Sequence, residues 1–403
     1  MLKTLADKLK PFFITAGSAD DYKLRRLRII LLIILAGFMA AFYHSFMRLG
    51  PDRAFLFDPA DRFNDFFNLL KVSASPYGVV DCQRAYLPFC YRLGWLASLI
   101  PPAAGRWLYL AFAFVFTGAI LYAGLPRKDR LSGVFSAFVL TAFSYPFLFT
   151  VDRGNFELFV FAVLYMFFAA LIKKRDNLAA IFLGIAIALK PFPVVFLGML
   201  LADKKYLRAV WAGVIAALIS FLCYASYPGG MLHNAFYHLA SLSAYDGVYV
   251  MRHAGLGWGN SIYGMLKALI MDLGAPYSHA QDFWQHIYFL FAALSGAALV
   301  WLTAVRRFPA WQKAVLYLCA MNLLPYVSGD YKLLNFLIPI ILFVNEDAQS
   351  PRDSFNAVLF GLLMIPKNYF NTGWFNEGVV INPLLMLLLC FSIISVRTPP
   401  EKA

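Results

Sequence analysis

Residues 177–202 read NLAAIFLGIAIALKPFPVVFLGMLLA. How this stretch crosses a bilayer, or fails to, sets the direction of everything after it. Its 26 residues are enough for one span of roughly 20. Both flanks are basic, however: Lys173, Lys174 and Arg175 precede it, and Lys204 and Lys205 follow it. Basic runs of this kind stay on the cytoplasmic side. Lys190-Pro191-Phe192-Pro193 interrupts the stretch near its middle, and each proline removes a backbone donor. The reading is therefore a pair of half-length helices that enter and leave on one side, with Lys190 at the apex.

The composition agrees with a membrane setting. Of 403 residues, 61% are hydrophobic and 14% charged, which is too apolar for a soluble globular chain, where the apolar share is about half. The net charge of +13 is spread in short runs between apolar segments, so it marks topology and does not form a nucleic-acid face. The fold class is an all-α polytopic membrane protein with one membrane domain, 1–403. Lys23, Arg25, Arg26 and Arg28 precede the first apolar run and place the N-terminus inside. That run is read as an uncleaved span because the later topology then closes consistently. About ten full spans follow from this start: 29–46, 106–125, 131–150, 156–172, 207–226, 283–305, 311–327, 333–344, 354–370 and 381–396. Both termini then lie inside. Two long outer segments remain, 50–102 with helices lying in the interface, and 227–282.

Three polar islands fall on the outer side. The first is VDRGNFE, 151–157. As a plain turn, it uses Gly154 to bend the chain, Asn155 to cap the next helix, and Asp152 to pair with Arg153. As a site, Arg153 and the donors of a helix N-terminus form an anion seat. Glu157, just inside the next helix, has to face the interior or a wet cavity. The second island holds Asp65, with Asp61 one turn before it. Asp65 is either a solvated carboxylate or a general base sheltered by Phe63, Phe66 and Phe67, for which Asp61 is the substitute. The third, VSGDYK, offers Asp330, Tyr331 and Lys332; Lys332 either snorkels to the interface or neutralises a phosphate. Lys190, deep in apolar sequence, is a headgroup partner, an ion site, or one half of a buried ion pair. In GLGWGNSIYG, Trp258, Asn260 and Tyr263 suit a sugar site, although the glycines mark tight turns first.

Metal chemistry has no sequence support. His233, His238, His253 and His279 form no HxxH or HExxH pattern, and the five cysteines have no metal spacing. Cys82 and Cys90 share the first outer segment, where a disulfide is open to them. No phosphate loop and no dinucleotide fingerprint is present.

Three segments in order, DFFNLLKVSASPYG, the long run from RGNFELF through IALKPFPVV, and VSGDYKLLNFLIP, resemble the C-type superfamily (GT-C) of membrane glycosyltransferases, and family 87 most. The likeness spans most of residues 60–345, with an acid in the first outer loop, a Gly-x-Asn hairpin and a Leu-Lys-x-x-Pro half-helix pair. The third segment departs from the family: Tyr331 and Lys332 stand where members often have histidines. The resemblance implies a polyprenyl-phosphate sugar as donor, a lipid or glycan as acceptor, and single-displacement inversion on the outer face of the inner membrane. It assigns Asp65 as the base, and Arg153, Asn155 and residues 330–332 to the donor side; the position of Lys190 in the chain adds it as a further phosphate cation. No cofactor is implied, and a divalent metal is not required. Two rivals stay open, a transporter or flippase of an anionic lipid or solute, and a surface-glycan polymerase or ligase. Transporters place polar residues through the whole depth and carry internal repeats, whereas here the polar residues crowd one face.

Overall fold

The computed structural model describes residues 19–49, 63–73, 86–252, 254–272, 281–367 and 376–396. Among them the regular structure is helical, and an isolated bridge pairs Gly259 with Gly329. The α-helices are α1 (Ala19–Leu49), α2 (Asn64–Ser73), α3 (Pro88–Ser98), α4 (Pro102–Gly124), α5 (Arg130–Ala142), α6 (Tyr145–Arg153), α7 (Glu157–Ile172), α8 (Asp176–Leu189), α9 (Val195–Ala202), α10 (Tyr206–Ala225), α11 (Gly230–Tyr245), α12 (Ile262–Asp272), α13 (Gln281–Val305), α14 (Ala310–Leu323), α15 (Leu337–Val344), α16 (Asp353–Leu363) and α17 (Gly378–Ile394).

Among the described residues, four helices are long and apolar enough to cross a membrane alone: α1, α4, α10 and α13. The pair α5 and α6, bent by 56°, makes a fifth. This is fewer than the ten full spans expected, and the cause is local. α7, α8, α14, α15, α16 and α17 have 8–17 residues, so at about 1.5 Å per residue the longest reaches only about 25 Å. Polar stretches stop several of them: Asn155 ahead of α7, Lys190 after α8, and 328–332 ahead of α15. The expected straight span 131–150 is also broken. Phe143 and Ser144 separate α5 from α6, and Pro146 sits in the first turn of α6, where its missing N–H costs nothing.

Residues 176–205 form two short helices, α8 and α9, joined through a 3₁₀ turn at Phe192–Val194. Lys205 Nζ lies 2.6 Å from Asp176 Oδ1, so the two ends of the segment meet and the apex at Lys190 points the other way. Packing behind the pair is close. A Cβ on Gly184 of α8 would stand 2.9 Å from the Ala212 carbonyl oxygen of α10.

Polar contacts at the helix ends sort the bundle into two faces. One gathers Lys205 with Asp176, Lys313 with Asp203, Lys23 with Asp347, and Arg26 with Asp353. On the same face the Asn345 amide donates to the Gly124 carbonyl, and Arg306 to that of Ile394. The start of α1 and the end of α17 therefore share this basic face. α7 and α8 carry the chain from it to Glu157 and Lys190, about 20 Å away. The core between them is aromatic, with Phe167, Phe196, Tyr317, Phe343 and Phe360 all fully buried.

Candidate active site

The site grows from the turn between α6 and α7. Gly154 caps α6 in the left-handed region at φ +61°, and the Asn155 N–H bonds back to the Thr150 carbonyl at 2.9 Å. A Cβ on Gly154 would stand 2.6 Å from Phe66 Cβ and 2.8 Å from Phe63 Cδ1. The bare glycine is what lets α2 lie directly on this turn. The Phe63 N–H ties the start of α2 to the Asp152 carbonyl at 2.7 Å, and Tyr109 Oη donates to the Asn155 carbonyl at 2.9 Å. Phe63 packs edge-on and Phe66 tilted against the Tyr109 ring.

This packing sets Asp65 over the island. Arg153 donates to it through Nη2 at 3.2 Å and Nε at 3.3 Å, and Asn155 through Nδ2 at 2.6 Å. The sequence reading asked only for an aromatic shelter around Asp65; here a guanidinium already compensates its charge. Asn155 caps α7 as expected, its Oδ1 accepting the Glu157 N–H at 2.9 Å. The same oxygen accepts from Lys190 Nζ at 2.9 Å, and Lys190 also pairs with Glu157 Oε2 at 2.9 Å. Asn335 Nδ2 donates to the other Glu157 oxygen at 2.8 Å.

A cavity of about 260 Å³ opens beside this cluster. Asp65, Arg153, Asn155 and Lys190 line it, with Tyr86, Phe149, Tyr245, Tyr249, Trp258 and Tyr331 as aromatic walls. The Arg153 guanidinium carbon lies 5.6 Å from the Trp258 ring centre, and Lys190 Nζ lies 4.7 Å from that of Tyr331. Lys267 holds the outer wall, donating to the carbonyls of Tyr249 and Val250 at 3.1 Å each and to that of Arg252. Asp65, Arg153, Asn155, Glu157 and Lys190 are thus brought together, and Tyr331 and Trp258 join them at the cavity.

Other expected residues stand apart. Lys332 is fully buried and does not line the cavity. Its ammonium sits 3.0 Å above the Phe192 ring centre and makes no hydrogen bond. Asp330 is also buried, accepting from Tyr145 Oη at 2.8 Å and Asn382 Nδ2 at 3.2 Å. Burial pushes its carboxyl up to about 6, against the pull of Tyr145 and Lys367. Asn260 meets the same Asn382 amide at 2.9 Å, so it braces the wall from behind. Asp152 contributes its backbone carbonyl to α2. Tyr263 packs tilted against Tyr288 and edge-on against Tyr326, and His238 bonds Tyr224. Asp61, Cys82, His253 and His279 lie outside the described residues. Among the described residues no three His, Cys, Asp or Glu side chains are grouped to hold a metal. Sequence reasoning passed over Asn335, although a lone amide in an apolar run calls for the same scrutiny as Lys190.

The family model described as glycosyltransferase family 87 matches residues 85–329. No curated protein and no solved structure matches the chain. The match covers more than half of the sequence and takes in Arg153, Asn155, Glu157, Lys190 and Trp258, while Asp65 precedes it. The chain belongs to family 87 and is a membrane glycosyltransferase.

Proposed function

We propose that this glycosyltransferase moves a single sugar from a polyprenyl-phosphate donor to a hydroxyl of a lipid or glycan acceptor, with inversion. The observation that carries the proposal is a carboxylate, Asp65, at the edge of a cavity that is also lined by two cations, Asn155 and a set of aromatic rings. Asp65 takes the proton of the acceptor hydroxyl. The freed oxygen pair forms the new bond to the anomeric carbon, and polyprenyl phosphate leaves with the electrons of the old one. Tyrosine and tryptophan rings with polar rims suit a sugar, which presents apolar faces and hydroxyl edges.

Of the three cations expected at the phosphate, Arg153 is the one this reading keeps. Its guanidinium spans Asp65 and the cavity, where developing charge on the leaving phosphate is stabilised. Lys332 is shut behind Phe192, and Lys190 is committed to Glu157 and Asn155. With the basic face cytoplasmic, the cavity opens on the periplasmic side of the inner membrane. The chain then makes ten passes, some by short or broken helices, plus the α8–α9 half-helix pair, and both termini lie inside.

The test uses the purified full chain with polyprenyl-phosphate sugars and, separately, nucleotide sugars. Transfer is expected from the lipid-linked donors. Arg153→Ala should raise the donor KM about tenfold or more while leaving the acceptor KM within about twofold, as loss of a charge-assisted contact predicts. Transfer from nucleotide sugars alone, or equal loss toward donor and acceptor, would contradict the reading.

A further inference from the structure

Lys190 lines the cavity, yet its hydrogen bonds run to Asn155 and to Glu157 behind it. The Asn155 carbonyl oxygen already receives two donors, Lys190 Nζ at 2.9 Å and the Glu157 N–H at 2.9 Å. Turning the amide over would aim its NH₂ at both of them, so its only satisfied orientation gives Nδ2 to Asp65, where it sits at 2.6 Å. Lys190 is held in turn. Its side chain is 4% exposed, and its charge is met by Glu157, 2% exposed, at 2.9 Å. Asn335 occupies the remaining Glu157 oxygen at 2.8 Å and is itself completely buried. Asn335 and Lys190 donate to the two Glu157 oxygens, Lys190 donates also to Asn155, and all the members except Asp65 are buried.

We infer that Asn335, Glu157, Lys190 and Asn155 form a positioning relay for Asp65, and that Lys190 acts through Asn155 and does not hold the donor phosphate. The inference rests on the reading of Asp65 as the base. Its consequence is directional. One oxygen of Asp65 is engaged by Asn155 Nδ2 at 2.6 Å, which fixes the plane of the carboxylate. The relay orders a group at the membrane edge by means of charges set deeper in the bundle, and of its inner member, Asn335, only the amide nitrogen is bonded. It also accounts for an ammonium beside two prolines at the α8–α9 apex. Lys190 is extended there, at φ −146° and ψ 146°, and its side chain reaches back to the N-terminus of α7.

The experiment measures kcat and donor KM for Lys190→Met and Glu157→Gln, with Asp65→Asn alongside, each checked for a wild-type melting transition. Lys190→Met should lower kcat about 10- to 100-fold, the usual scale for a supporting shell, with donor KM within about twofold. The donor kcat/KM should therefore fall in step with kcat. Glu157→Gln, nearly isosteric, should show the same split to a smaller degree, and it decides the matter if Lys190→Met does not fold. A raised donor KM with kcat retained would make Lys190 a phosphate ligand and overturn the relay. So would wild-type kinetics in a folded variant. If Asp65→Asn instead keeps normal turnover, the base assignment fails on its own, a result separable from failure of the relay.

Discussion

Gly154 is the residue on which the site turns, since it fixes how closely α2 can approach. Its φ of +61° and the 2.6 Å gap from a would-be Cβ to Phe66 predict that Gly154→Ala strains both backbone and packing. The expected cost is about 1–3 kcal/mol, read as a lowered unfolding midpoint, together with loss of activity as Asp65 shifts. A stable, fully active variant would contradict the close approach. A second residue gives a pH signature. Burial raises Asp330 from 3.8 to about 6, so its contribution to stability is fully present below pH 3.8 and is lost as pH climbs through 6. Wild type should therefore weaken between about pH 4 and 6 relative to Asp330→Asn, by up to about 3 kcal/mol; parallel curves would refute this. At this scale the sequence identified the residue types at VDRGNFE but not the direction of Lys332. Residues 330–336 form a 3₁₀ helix, in which positions three apart eclipse. Lys332 thus faces inward with Asn335, and nothing in VSGDYK itself distinguishes that from snorkelling outward.

Among the elements, the α8–α9 pair was the most legible, because basic flanks and a Lys-Pro-Phe-Pro apex leave few other arrangements. The ion pair of Lys205 with Asp176 predicts that single cysteines placed by Arg175→Cys and Lys204→Cys react from the same membrane side with an impermeant maleimide. Labelling from opposite sides would make the segment one kinked span and reverse all that follows it. The α5–α6 break was far less legible. Residues 131–150 are apolar throughout, and only Ser144 and Pro146 hint that the helix stops and restarts at 56°. Hydropathy measures how long an apolar run is; it does not register a bend that tertiary packing imposes. The bend has a use, since it delivers α6 and its Gly154 cap to α2.

For the whole molecule, composition alone gave the membrane class, whereas the separation into a basic face and a cavity face emerges only from contacts between helices far apart in sequence. Arg26 with Asp353 and Asn345 with Gly124 are such contacts. The separation explains how short helices suffice: the start of α1, the end of α17, basic turns and ion pairs gather at one face, and polar groups that interrupt the spans gather at the other, around Asp65. Under the proposed function, the donor's charged head sits next to Arg153 and its hydrocarbon tail in the bilayer. The account stands or falls on Asp65 as the base serving that cavity. The most direct measurement is the initial rate of sugar transfer from a polyprenyl-phosphate donor by Asp65→Asn, in protein shown to melt like wild type. The account predicts a fall of about 10²-fold or more with donor binding retained; turnover at the wild-type rate would contradict it.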